Sequence, residues 1–398
     1  METTIKFKHH SLTGRVTSEL MVKAFKSVKR NKGAAGVDRV SIAQYEKNLG
    51  VNLAELIRLM KQRGRYQPKP NRRVWIPKTI KRQKNPPMRP LGIPGVRDRV
   101  AQEVVRQLLE PIFESLFHPH SCGFRPKRGC HTAIELVLQA KKAGRTVVVD
   151  ADIKGFFDNL PHEVIMNAVC EQVADGNILE IIRKFLGAGV LEDGKIIDTT
   201  RGTPQGGVIS PLLANIVLNR LDWVLDDAGF FFVRYADDFV ILCRTRPEAE
   251  KALALAKTIL TELGLALSEE KTKITSFDEH FDFLGFTFKS NVTVIRHKAA
   301  EKFKEKIRNL TRRTNGKSLH QMIDELNPLL RGMVNYFAKP YTKTRHSFCI
   351  WDKWVRHRVR YWKFRRTRLG FKQRKQTSLR WMKKKGLVSM YELACQRT

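Results

Sequence analysis

Two short β-branched segments carry carboxylates in places where a packed sheet excludes charge, and this constrains the chain more than any other feature. The first runs Val147-Val148-Val149-Asp150-Ala151-Asp152-Ile153 and continues as Lys154-Gly155-Phe156-Phe157-Asp158. The second is Val233-Arg234-Tyr235-Ala236-Asp237-Asp238-Phe239-Val240-Ile241-Leu242. Valine, isoleucine and aromatic runs of this length read as strands. An ionised carboxylate buried without a partner is costly, so these aspartates belong at strand ends or turns. Asp237-Asp238 lies between two apolar runs, as the tip of a β-hairpin would. A turn accounts for one aspartate there. Two adjacent ones repel each other unless a cation or solvent offsets the charge. Phosphoryl transfer with two divalent ions roughly 3.5–4 Å apart supplies a reason, because it needs bridging carboxylates and hard oxygen ligands. Asp152 and Asp237 are 85 positions apart, so only a tertiary fold can bring them together. Asp150 and Asp158 read as a polar strand end and a helix cap.

Around these segments the periodicity predicts helices near Met21–Lys29, Leu53–Gln62 and Asp98–Phe117, with a turn at Asn31–Gly36. Residues Arg72–Arg97 are basic, punctuated by proline and partly β-like. Strands return at Thr146–Ile153 and Phe230–Cys243. Helices alternating with short, hairpin-joined strands point to an α+β fold, not a doubly wound sheet. A length of 398 residues, 42% of them hydrophobic, gives room for two to three domains with a buried core.

Charge names a partner. Seventy-four Lys and Arg face 39 Asp and Glu, a net +35. Such a surplus repels itself unless a polyanion neutralises it, and nucleic acid is the obvious one. Residues 296–398 hold 29 Lys and Arg against 6 Asp and Glu, about two thirds of the whole surplus. Trp351, Trp354, Tyr361, Trp362, Phe364 and Trp381 are interleaved there, a pattern suited to stacking on bases. The helical stretch Asp324–Phe337 implies that this region is folded. The six cysteines include no C-x-x-C pair, which argues against a zinc knuckle or a secreted disulfide framework. No apolar run approaches ~20 residues, and the first residues are polar. The expectation is a bacterial cytoplasmic protein with no membrane segment, with nucleoid association and an organelle as open alternatives.

Tyr235-Ala236-Asp237-Asp238 resembles the Y-x-D-D signature of reverse transcriptases, and Asp152–Asp158 resembles their first carboxylate motif. Arg201-Gly202-Thr203-Pro204-Gln205-Gly206-Gly207, leading into Val208–Asn215, is similar to the P-Q-G-G motif that precedes Y-x-D-D. Order and spacing match the group II intron branch. The resemblance implies an α+β right-hand polymerase: fingers and palm over residues 1–290, a helical thumb or maturase domain over 291–345, and a basic aromatic segment over 346–398. It implies RNA-dependent DNA synthesis, with maturase activity aiding intron splicing and mobility. Asp152, Asp237 and Asp238 become the catalytic residues. Together with Ile153 they form the metal set for two Mg2+ ions, with Mn2+ as a substitute.

For the substrate, the resemblance makes Phe157 an aromatic gate against the ribose 2′-OH. Lys78 and Arg89 become triphosphate contacts, in keeping with the cationic clamps such a transition state needs. Arg125 is expected near the nucleotide or template, Gln205 against the incoming dNTP, and Lys271 at the leaving pyrophosphate. The glycines after Gln205 allow close backbone approach, and Ser210-Pro211 reads as the N-cap and first residue of the next helix. Phe283-Leu284-Gly285-Phe286 resembles the primer-grip hairpin. Leu326–Phe337 resembles the maturase domain, with Arg331, Asn335 and Tyr336 at RNA-binding positions; the match fades beyond residue 340. Partners are then an RNA template with a DNA or RNA primer, dNTPs, structured intron-like RNA and target DNA, with the oligomeric state open. The paired cysteines of an H-N-H endonuclease are absent, so second-strand cleavage is not expected. Two alternatives stay open: a reverse transcriptase domesticated for defence or repair, and an RNA-binding splicing factor with a vestigial polymerase site.

Overall fold

The basic, proline-punctuated stretch folds as an antiparallel pair, β1 (Asn71–Pro77) and β2 (Met88–Ile93), in register from Arg72 opposite Ile93 to Pro77 opposite Met88. This computed structural model describes residues 8–77, 86–204, 206–312, 314, 316–364 and 370–397. They form two compact units, residues 8–77 with 86–275, and residues 276–397.

The first unit holds two four-stranded sheets. In one, β1 pairs with β2 on one side and with β4 (Val190–Glu192) in parallel on the other, and β4 turns back into β5 (Lys195–Ile197). The valine run enters β3 (Val147–Asp152), the centre of the other sheet. Its order is β6-β7-β3-β8, with β6 at Phe231–Tyr235, β7 at Asp238–Cys243 and β8 at Lys273–Ser276. β7 is antiparallel to both neighbours and carries five buried residues in a row, as a central strand covered on both faces should. The expected hairpin forms, but its two-residue tip is Ala236–Asp237, and Asp238 is the first residue of β7. Asp238 stands opposite both Tyr235 and Asp152.

Helices cover this sheet. Val96–Glu114 is buried nearly all round, and its two buried acids are paired: Asp98 accepts from the Tyr66 hydroxyl at 2.8 Å and Glu103 accepts from Arg106. Ser210–Asp227 begins one residue earlier than the sequence implies. Ile209 is its cap, Ser210 is already helical, and the Ser210 hydroxyl donates to the Pro204 carbonyl at 3.1 Å instead of capping.

The second unit has a three-stranded sheet, β11-β10-β9, of β9 (Phe281–Phe283), β10 (Phe286–Phe288) and β11 (Thr293–Ile295), with a two-residue turn at Leu284–Gly285. Helices His297–Leu310, Leu319–Phe337 and Arg345–Phe364 follow. Two buried polar residues tie its end in place. Asn327 donates to the Gly386 carbonyl at 2.8 Å and accepts from the Val388 amide at 3.1 Å. Asp352 accepts from the Ser389 hydroxyl and the Met390 and Tyr391 amides, capping helix Met390–Cys395 from outside it. The aromatic residues expected to stack on bases are partly structural. Trp351 is core, Trp354 lies under Arg308, and Lys363 lies 4.2 Å over Trp381. Among the described residues no helix is long and apolar enough to cross a membrane.

Candidate active site

Asp152 ends β3 and Asp237 closes the β6–β7 turn, and both line one cleft of about 630 Å³. Ile153, Phe157, Arg89, Lys271, Gly206 and Gly207 line it too, so most of the first unit's expected site residues converge. The backbone explains how. Residues 152–154 pair with Ala266–Ser268: Ser268 donates to the Asp152 carbonyl and Lys154 to the Ala266 carbonyl, each at 2.8 Å. That register carries Lys271 to Asp152, where its ammonium donates to Oδ2 at 2.6 Å. Arg89, exposed on β2, approaches from the first sheet.

The P-Q-G-G loop is wedged between these parts. Gly206 has φ +119°, and a Cβ there would lie 2.7 Å from the Gly92 carbonyl oxygen, so only glycine lets the loop lie against β2. Gln102, buried in helix Val96–Glu114, accepts the Val208 amide at 2.8 Å. The Thr203 amide donates to the Phe157 carbonyl at 2.7 Å, which links this loop to the turn of helix, Phe156–Asn159, that holds the aromatic gate candidate.

Burial raises the Asp237 carboxyl above the ordinary aspartate range. The negative charge of Asp152 adds to that, while Asp237's own backbone, Arg89 and Lys271 oppose it. Two partly buried carboxylates competing for nearby cations suit a hard divalent ion. Among the described residues no cluster of three carboxylate, imidazole or thiol groups forms an all-protein cage. A Mg2+ that takes its remaining ligands from a triphosphate and water needs only one or two carboxylates. The donor set fits.

Other expected residues lie elsewhere. Arg125 is not at the cleft. Its guanidinium is buried and forked onto Glu114, with further bonds to the carbonyls of His118 at 2.6 Å and Ser121 at 2.8 Å. All its donors are directed inward, so it braces its loop. Lys78 and Gln205 lie outside the described residues. Arg331, Asn335 and Tyr336 share helix Leu319–Phe337 in the second unit. Arg331 and Asn335 are exposed, whereas the Tyr336 hydroxyl donates to the Leu284 carbonyl at 2.8 Å.

Sequence reasoning passed over the group that holds the carboxylate turn. Arg234 is fully buried in β6. It pairs with the equally buried Asp222, with Nε to Oδ1 at 2.7 Å, and donates to Asn215 Oδ1 and to the Ala236 carbonyl at 3.0 Å each, and to Ser121 Oγ at 2.8 Å. Gly123 presses on the same turn: a Cβ there would lie 2.4 Å from the Ala236 nitrogen. The available signal was an arginine inside an aromatic strand, since an arginine is almost never fully buried unless paired.

Residues 76–288 match the reverse transcriptase (RNA-dependent DNA polymerase) family, and residues 300–385 match the group II intron maturase-specific domain. The chain belongs to the group II intron reverse transcriptase and maturase family. It is thus an RNA-directed DNA polymerase, with the α+β polymerase fold of that family followed by a helical C-terminal part. Enzymes of this family work with divalent metal ions. Protein YkfC of Escherichia coli (strain K12) is 35% identical over 308 residues, 67% of this chain and 79% of that protein. Group II intron-encoded protein LtrA of Lactococcus lactis subsp. cremoris is 39% identical over 211 residues, covering 53% of this chain and 34% of LtrA. An uncharacterized 91 kDa protein in the cob intron of Schizosaccharomyces pombe is 27% identical over 368 residues, 71% of this chain and 45% of that one. This reverse transcriptase therefore spans about a third of LtrA and under half of the cob intron protein. The maturase match runs to residue 385, well past residue 340, where the motif resemblance fades.

Proposed function

We propose that this chain extends a DNA or RNA primer with dNTPs along an RNA template at the cleft of Asp152 and Asp237, and that residues beyond 290 bind structured intron RNA. The observation that carries the reading is the meeting of two aspartates 85 positions apart beside Phe157 and the cations Arg89 and Lys271. Two Mg2+ ions held there by Asp152, Asp237 and the Ile153 carbonyl, with Asp238 in support, would neutralise charge on the attacking and leaving oxygens. Arg89 orients the triphosphate, joined by Lys78. Lys271 exchanges its bond to Asp152 for the departing pyrophosphate. Gln205 lies against the nucleotide. In this reading residues 1–290 are fingers and palm, 291–345 the thumb, and 346–398 a basic segment that adds salt-sensitive affinity for RNA or target DNA. Arg331 and Asn335 offer their exposed side chains to the RNA, and Tyr336 ties their helix to the Phe283–Phe286 hairpin.

The test is extension of an annealed primer on poly-rA with dTTP, with and without Mg2+. Extension that requires the ion supports the reading; none under any divalent ion, with the chain folded and binding RNA, would leave an RNA-binding splicing factor in its place. Splicing of a candidate parent intron at physiological salt tests the maturase part, which fails if the RNA splices fully without protein.

Sugar selection follows from Phe157, a half-buried ring lining the cleft. Phe157→Ala opens room for a 2′-hydroxyl and is expected to raise rNTP incorporation relative to dNTP by at least ~10-fold, the scale of one steric contact in a pocket. The ratio of kcat/KM values for the two nucleotides reads this directly. An unchanged ratio removes the gate assignment.

A further inference from the structure

Phe124 does two things that a surface phenylalanine ordinarily does not. Its backbone is left-handed, at φ +57°, a strained region for a bulky L-residue, and the residue is 54% exposed where it lines the carboxylate cleft. The flanking residues force this display. The segment before it pairs in parallel with β6: the Arg234 amide donates to the His120 carbonyl at 3.0 Å and the Cys122 amide to the Arg234 carbonyl at 2.8 Å. Asn215 donates to the Gly123 carbonyl at 2.8 Å, and on the other side Arg125 is locked onto Glu114. With both neighbours pinned, the ring lines the cleft mouth and, among the rings of the described residues, meets Tyr235, centroid to centroid 6.2 Å at 41°. Strain maintained by such over-determination marks functional positions more often than accidents.

We propose that Phe124 is a stacking residue for the primer-terminal nucleotide, an inference that rests on the polymerase reading of the cleft. The sheet order gives the side. Segment 120–122 extends the sheet beyond β6, so Phe124 flanks Asp237 from the β6 edge, whereas Phe157 follows β3 and flanks it from the opposite side. A nucleotide whose sugar lies against Phe157 stacks on the primer end. That end then lies over the β6 flank, where a fixed aromatic face is exposed. Every base has a π-face, so the contact is sequence-tolerant, as a polymerase requires.

The experiment uses the full chain, Mg2+, dNTPs and a DNA primer annealed to an RNA template. Phe124→Ala is expected to raise the KM for template–primer about tenfold, the range of one lost base–aromatic contact, with the KM for dNTP within twofold and the thermal midpoint unchanged. Phe124→Trp and Phe124→Tyr restore the affinity. Phe124→Gly shows the same loss, yet its midpoint equals or exceeds that of the parent, because glycine adopts this φ freely. A purely structural ring predicts the reverse, a fall in midpoint with unaltered KM, and that result overturns the proposal. A primer whose last nucleotide lacks its base separates the two strands. It should erase the difference between parent and Phe124→Ala, whereas erasure by an abasic templating position instead assigns the ring to the template and defeats the proposal as stated. If the parent chain itself extends nothing, the polymerase reading falls and this one with it; extension by the parent with no change in Phe124→Ala sinks this inference alone.

Discussion

Asp237→Asn is expected to lower RNA-templated primer extension by at least ~10³-fold while leaving the thermal midpoint at pH 7 equal to that of the parent or higher. The loss follows from removing a carboxylate where metal-assisted charge stabilisation is worth several kcal/mol, at about 1.4 kcal/mol for each factor of ten. The stability half follows from the raised carboxyl pKa. Burial and the neighbouring Asp152 hold the Asp237 pKa above that of an unfolded aspartate. The folded chain therefore binds this proton more tightly than the unfolded chain does. That contributes stability at acid pH, below the ordinary aspartate range, and the contribution is lost as pH rises through the folded value. At pH 7 the ionised group opposes folding, and asparagine removes the opposition. Magnesium should reverse the comparison. Titrated in, it raises the midpoint of the parent more than that of the variant, because only the parent keeps the full ligand set. Activity retained within tenfold would remove Asp237 from the catalytic set. A midpoint several degrees lower would contradict the electrostatic account of the site.

The second large effect concerns Arg234 and Asp222. Asp222→Ala leaves a guanidinium buried with its principal partner gone, and such a break costs about 3–5 kcal/mol. For a unit of this size that is roughly 6–20 °C in thermal midpoint. Arg234→Met combined with Asp222→Leu should recover most of the stability, because a buried ion pair can be exchanged for packed apolar residues at little net cost. Activity should not recover with it. The Ala236 carbonyl and the Ser121 hydroxyl both lose the donor that fixes the turn carrying Asp237. Thermal unfolding and primer extension of the three proteins separate the roles: a double variant both stable and fully active would show that the pair only fills space.

Much of the fold was legible. The valine run at 147–149 became β3, the Phe230–Cys243 hairpin formed with its turn one residue early, and the expected helices begin and end within a few residues of where periodicity puts them. Local pattern suffices there because side chains repeat every 2 or 3.6 residues whatever lies elsewhere. Assignments that depend on a distant partner were less secure. Ser210 has the right chemistry for a cap, but the Pro204 carbonyl, brought near by the glycine-rich loop, takes its hydroxyl. Arg125 looks like a substrate cation until Glu114 and two carbonyls take its donors. Trp351 looks like a stacking residue and is core.

The sequence alone determined which atoms can do the chemistry: carboxylates embedded in strands, a basic C-terminal third and a family pattern of motifs. Tertiary structure decided which charges remain available to a substrate. Arg89 and Lys271 line the cleft, whereas Arg125 and Arg234 are bound inward. The physical reason is that an arginine's role depends on the acceptors within about 3 Å of it. For Arg125 and Arg234 those acceptors come from Glu114, Asn215 and Asp222, neighbours that folding supplies and local periodicity does not encode.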